Sequence, residues 1–179
     1  MDDPARQQFF ALIQNPSRET YLPVWQAVTS SPEYDPSSDD VSEVQQLFEE
    51  GKYEEARAKA FAVMGKWLLS PRLHLLVSLA ARKLGDEQAA QMENIIASAC
   101  AEGILGTGDG TEEKPYLVTS TGDEYDILQY LQKTLSVQAL VHSGDRTLDR
   151  MTCTDGTVLH FDITAAYVRL TQRMRPQRE

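Results

Sequence analysis

FEEGKYEEA (residues 48–56) and RKLGDEQAA (residues 82–90) decide how the first half of this chain reads. In each, a helical run halts at a glycine and restarts within two residues. Gly51 and Gly85 stand 34 residues apart, and so do Ala56 and Ala90. Glycine adopts the left-handed backbone that ends a helix, a conformation that strains residues with a Cβ. A small alanine early in the next helix lets its partner approach closely. Apolar residues recur at helical spacing around both glycines. Val41, Val44, Leu47 and Phe48 precede Gly51, and Ala60, Val63, Met64, Trp67 and Leu68 follow it. Leu73, Leu76, Val77, Ala80 and Leu84 precede Gly85, and Ala89, Met92, Ile96 and Ala99 lie beyond it, in a helix reaching about Glu102. Ser70-Pro71 marks a helix start, because proline suits a first turn. Asp86 is a candidate N-cap.

Upstream, Pro4 to Ile13 reads as a helix stopped by Asn15-Pro16. A second covers about Tyr21 to Thr29, with Tyr21, Val24, Trp25 and Val28 on one face. The stretch SSPEYDPSSDD (30–40) is a loop by composition. Paired helices with a glycine turn every 34 residues resemble tetratricopeptide helix hairpins over roughly residues 41–100. The match is partial: the glycine and the alanine recur, but the aromatic after the glycine, Tyr53, is Glu87 in the second copy. An ordinary helical bundle with the same short turns is the alternative.

Past Ile104 the period changes. LGTGDGTEEKP (105–115) breaks regular helix, PYLVTST (115–121) reads as a strand, and DEYDILQYL (123–131) as a short helix with Tyr125, Leu128 and Leu131 inward. VQALVH (137–142) is a strand. DRMTCT (149–154) and TVLHFDI (157–163) flank Asp155-Gly156, a strong hairpin signal. A last helix starts near Thr164 and carries Ala166, Tyr167, Leu170 and Met174, before the basic tail RMRPQRE. The expected fold is α+β. A domain of helical hairpins spans 1–103. A small domain spans 104–179, with an antiparallel sheet flanked by helices.

GTGDGTEEKPYLVTSTGDEYDILQYL (106–131) and TVLHFDI (157–163) also resemble a bacterial family of uncharacterised proteins. In that family a Gly-Asp-Gly turn leads into a strand, a Glu-Tyr pair opens the following helix (here Glu124 and Tyr125), and a Phe-Asp pair closes the last strand (here Phe161 and Asp162). Its members often carry a tyrosine where this chain has His160, which weakens a role for that histidine. The resemblance implies a shared fold and assigns no activity.

The chain has 179 residues and a net charge of −10, from 27 acidic and 17 basic residues. The acidic excess is spread over both halves, with no Lys/Arg stripe. The attraction that drives binding to a phosphate backbone or an anionic membrane is missing, so a basic or neutral protein partner fits better. Cys100 and Cys153 sit in unrelated contexts and read as free thiols. The start, MDDPARQQFF, has neither the basic flank nor the apolar run of a signal peptide, and a cytoplasmic location is expected.

Several groups invite a chemical reading. Asp109, Glu112 and Glu113 in the glycine-rich loop offer hard oxygen ligands, but their spacing does not fit an EF-hand. The loop lacks the lysine of a phosphate-binding loop. Asp123, Glu124 and Asp126 cluster at a helix start, where capping explains them. Asp109 with Glu124 is the carboxylate pair to inspect for a hydrolase. His74, His142 and His160 show no metal-ligand spacing. Cys153 and His160 flank the Asp155-Gly156 turn and would pair only if they faced one pocket. No catalytic, metal or cofactor residue is assigned. The leading expectation is a protein-interaction or regulatory module, with Trp25, Tyr34, Tyr53 and Trp67 as candidate groove residues and Trp67 more naturally core. A small hydrolase or metal-dependent enzyme built on the acidic loop, and a structural or self-associating protein, are the alternatives.

Overall fold

The computed structural model of the chain describes residues 4–174; the tail beyond Arg173, and Met174's place on the last apolar stripe, lie outside the side chains described. Six helices come first: α1 (Pro4–Gln14), α2 (Arg18–Ser30), α3 (Asp40–Glu49), α4 (Tyr53–Trp67), α5 (Pro71–Lys83) and α6 (Glu87–Gly106). Then follow β1 (Tyr116–Leu117), α7 (Thr121–Tyr130), β2 (Leu135–Ser143), β3 (Arg146–Cys153), β4 (Val158–Asp162) and α8 (Thr164–Met174). The fold is mixed α+β, a four-stranded sheet flanked by helices.

The two glycine turns have the same construction. Gly51 and Gly85 sit at φ +76° and +81°. In each turn the next residue's N–H reaches back to a carbonyl five residues earlier, Lys52 to Leu47 and Asp86 to Ala81, both at 2.9 Å. This double turn satisfies the carbonyls a helix end leaves open. Ala56 and Ala90 are both buried at the close approach their size permits. Ser70 caps α5 through Leu73 N–H, and Asp86 caps α6 through Ala89 N–H.

α6 runs past Glu102 to Gly106, so the expected 103/104 boundary falls inside a helix. One core continues across that point, from Leu12, Tyr21 and Ile104 to Ile127, Met151 and Phe161. A second, built on Val44, Ala60, Trp67 and Val77, lies within α3–α5. The loop before α3 is pinned as well. The Tyr34 hydroxyl donates to Thr119 O, and Arg169 on α8 donates to Tyr34 O at 2.8 Å and to Ser31 O at 3.1 Å.

The sheet order is β1-β4-β3-β2, and it corrects the antiparallel expectation: β1 runs parallel to β4. A parallel pair needs a long crossover, which α7 and the β2–β3 hairpin supply here. The expected strand at 115–121 shrinks to Tyr116–Leu117, because Ser120 is already the N-cap of α7. Thr107 Oγ1 accepts Leu117 N–H, and Val118 O accepts Trp25 Nε1–H at 3.0 Å, so helical residues cover this short edge. Register fixes the faces. Met151 opposes Leu159 and Asp149 opposes Phe161, on the side packed against the helices. Arg150 opposes His160 and Thr152 opposes Val158 on the other side. Asp155-Gly156 turns β3 into β4 with Gly156 at φ +85°. No helix among the described residues is long and apolar enough to cross a membrane.

Candidate functional site

The three acids at the start of α7 have three different surroundings. Asp123 is an N-terminal anchor: one carboxylate oxygen accepts from Thr119 N–H, Thr119 Oγ1–H and Ser120 N–H. Its other oxygen is buried without a partner. Burial pushes its carboxyl up to about 6 against the pull of those hydrogen bonds, with the charge of Asp126 adding to the rise. Asp126 takes the Arg72 side chain at 2.8 Å and so ties α7 to the start of α5. Burial also raises Asp126, and Arg72 opposes it.

Glu124 points under the sheet and is 0% exposed. It lies against buried Asp149 of β3, while the Gln138 amide of β2 donates to both, at 2.8 Å to Asp149 and 3.4 Å to Glu124. The Tyr125 hydroxyl in turn donates to Gln138 Oε1 at 2.7 Å. Burial, then the charges of Asp149 and Asp123, lift the Glu124 carboxyl to about 10. At neutral pH the pair therefore holds a proton, and Gln138 closes over it. Capping, the expected reason for this cluster, applies to Asp123 alone. The expected inward set on α7 also changes: Tyr125 is exposed, and Ile127 is buried in its place beside Leu128. A strand pairing that brings Asp149 and Gln138 over the same helix turn is not visible in local spacing.

Asp109 and Glu124 are not brought together. Asp109 is exposed and spends its Oδ1 on the N–H and hydroxyl of Thr111. Glu112 and Glu113 hold Arg146 through their backbone carbonyls. The glycines of this loop serve packing. A Cβ on Gly108 would lie 2.3 Å from Lys114 O, and one on Gly110 would lie 2.8 Å from Leu159. No group of three or more His, Cys, Asp or Glu side chains that could hold a metal ion occurs among the described residues.

Cys153 and His160 do not pair. Cys153 follows Met151 on the helix-facing side, whereas His160 lies on the other side beside Arg150 and bonds Gly110 O. Both cysteines are buried and free, and burial raises the Cys100 thiol well above its usual range. His74 is a core residue held by Glu93 at 2.7 Å and Leu68 O at 2.9 Å, with Phe9 stacked on its ring. His142 meets Thr147 and the edge of Tyr167. The four aromatic groove candidates also serve elsewhere: Tyr34 and Trp67 are buried, Trp25 packs against the core, and Tyr53 packs on Phe48.

Four clefts stand out among the described residues, and none of the four is lined by Asp109, Glu124 or a histidine. One, of about 270 Å³, lies between α5, α6 and α7. It exists because α6 presents Ala97, Ser98 and Ala101 to α7, leaving a floor without bulk. Pro71 and Leu75 form one wall, Gln129 and Tyr130 the other, and the Arg72–Asp126 pair closes one end. A second cleft shares that pair and runs toward Ser38 and Trp67. The remaining two adjoin each other at the β1 end of the sheet. Compared with protein families, curated proteins and solved structures, the chain matches none of them.

Proposed function

We propose that the protein is a non-catalytic protein-binding module whose α5–α6–α7 cleft receives an apolar side chain of a basic or neutral partner. The observation that carries this reading is the cleft itself. Its volume suits one side chain better than a drug-sized ligand, whose pockets run from about 300 to 1,000 Å³. Leu75 and Tyr130 stand exposed at its mouth, and tyrosine is enriched among the residues that carry binding energy at interfaces. Glu102, bonded to the Tyr130 hydroxyl, adds negative charge beside it. On this reading α3–α6 is a tetratricopeptide-like pair of hairpins, supported by the matched turns at Gly51 and Gly85, and the protein works in the cytoplasm. The resemblance to the uncharacterised bacterial family supports the placement of Glu124, Tyr125, Phe161 and Asp162 as parts of a shared framework. The test is capture of partners by the full chain, with Leu75→Ser and Tyr130→Ser as paired variants. A stoichiometric partner lost in both variants and retained by an Asn15→Ala control supports the cleft. Retention by the paired variants overturns it.

A second reading, self-association, has the β2 edge in its favour. Leu135–Ser143 borders the sheet and contains no Asp, Glu, Lys or Arg, and Val137 and Leu140 are 54% and 50% exposed. Edge strands of that length commonly carry a charge or proline that blocks pairing. Sedimentation velocity of the wild type and Val137→Lys decides it: a dimer dispersed by the lysine supports self-association, and a monomer at all concentrations removes it.

A further inference from the structure

The two adjoining clefts at the β1 end form one groove with an uneven charge. Leu117, Arg146 and Asp162 line both parts. Leu117 and Asp162 are register partners in β1 and β4, so the floor is the sheet face opposite the main core. The larger part, about 770 Å³, runs between α2 and α8 past Trp25, Ala165 and Val168. The smaller, about 440 Å³, ends at Arg18 and Lys114.

Several cations elsewhere in the molecule have carboxylate partners. Lys59 and Lys66 meet Asp40, Arg72 meets Asp126, and Lys133 meets Asp155. Among the described residues, Arg18, Lys114 and Arg146 have no carboxylate within ion-pair distance. Instead, backbone carbonyls fix the two arginines. Arg18 gives one N–H to Thr107 O, and Arg146 gives two, to Glu112 O at 3.0 Å and Glu113 O at 3.4 Å. A guanidinium has five N–H donors in a rigid fork, so each arginine is held in place with donors to spare. Two acids share the groove. Asp162 is engaged by the N–H and hydroxyl of Thr164 at 3.0 and 2.6 Å, and Glu113 stands exposed at the rim. In a chain of net charge −10, Arg18, Lys114 and Arg146 gather at one end of this groove without an ion-pair partner, two of them fixed by backbone carbonyls, and Arg169, held by Tyr34 O and Ser31 O, lines the other end.

We infer that this groove binds a small organic anion, with its carboxylate or phosphate group among Arg18, Lys114 and Arg146 and its apolar part along Trp25, Leu117 and Val168. A charge-assisted fork recognises an oxyanion, and the adjoining apolar length selects against a bare inorganic ion. The inference is independent of the α5–α7 cleft, which lies on other elements.

The test is titration of the full chain, followed by amide NMR and calorimetry, with hexanoate, its neutral counterpart hexanamide, and inorganic phosphate as probes. Hexanoate is expected to bind saturably, shifting the amides of Leu117, Ala165 and Val168, and to bind about tenfold or more tighter than hexanamide. Phosphate alone should perturb the Arg18–Lys114 end and compete with hexanoate. Lys114→Gln, which removes a charge from an exposed side chain, should weaken hexanoate about two- to fivefold, and Glu113→Gln should strengthen it by a similar factor. Equal binding of hexanoate and hexanamide, no saturable binding of either, or indifference to both variants would overturn the inference. Thermal melts of both variants confirm that the fold is intact.

Discussion

Glu124 of α7 and Asp149 of β3 lie against each other inside the protein, and the Gln138 amide of β2 donates to both. Gln138 closes the solvent side, and burial plus the neighbouring negative charge holds the Glu124 carboxyl at about 10.

The pH dependence of stability follows from the proton that this carboxyl holds. Glu124 titrates near 4.5 when unfolded and near 10 when folded, so between these values the folded chain binds the extra proton. Its contribution is complete below 4.5 and is lost as pH rises toward 10, at up to about 1.4 kcal/mol per pH unit. Asp123 acts in the same direction over the narrower window from 3.8 to about 6. Urea unfolding across pH 5–9 should show midpoints falling with pH. Glu124→Gln, which keeps the shape without a titrating proton, should flatten most of that slope.

Asp40 predicts the opposite limb. Burial opposes its ionisation, yet Lys66, Ser38 and Trp67 all bond its carboxylate and hold it well below 3.8. Its contribution is therefore present above 3.8 and is lost as pH falls below that value. Asp40→Ala should cost about 1–3 kcal/mol at neutral pH, because it leaves the Trp67 N–H and Lys66 without their acceptor. Chemical denaturation of this variant against Asp39→Ala, whose side chain makes no cap bond, measures it.

Glycines of the loop and of the helices should tolerate change unevenly. At Gly108 an added Cβ meets backbone oxygens of Lys114 and Pro115 at 2.3 and 2.4 Å, atoms that cannot rotate away. At Gly103 it meets the side chains of Tyr21 and Leu12 at 2.7 and 2.9 Å. Gly103→Ala should therefore cost about 1–3 kcal/mol, and Gly108→Ala more than that. At Gly65 nothing lies within 4 Å, and alanine in that helix should stabilise by roughly 0.5–1 kcal/mol. Melting temperatures of the three variants should rank in that order.

Trp25→Phe removes the indole N–H that Val118 O accepts while retaining most of the apolar bulk. A cost of about 1–2 kcal/mol is expected, with amide exchange accelerated at β1 and the start of α7. Equal acceleration throughout the chain would mean that the bond only adds to global stability.

The helices of the first half were legible because their signals are local. The apolar period, the glycines at 51 and 85, the serine before Pro71 and the acid at 86 all act within a turn or two of their own positions. The Asp155-Gly156 hairpin was legible for the same reason. Pairing between distant segments was not. Nothing near Tyr116 says that it will lie parallel to Phe161, since that depends on how α7 and the β2–β3 hairpin carry the chain back. Asp123 and Glu124 are neighbours in the sequence, yet one caps its own helix while the other is protonated under a strand that arrives later. Sequence by itself determined where the chain turns, which stripes are apolar and how much negative charge it carries. Tertiary structure alone decided that Asp109 stays apart from Glu124, that Cys153 and His160 take opposite faces, and that Arg18, Lys114 and Arg146 converge. The physical reason is range: helix periods and caps act over a few residues, whereas burial and charge pairing depend on which segments the fold brings into contact.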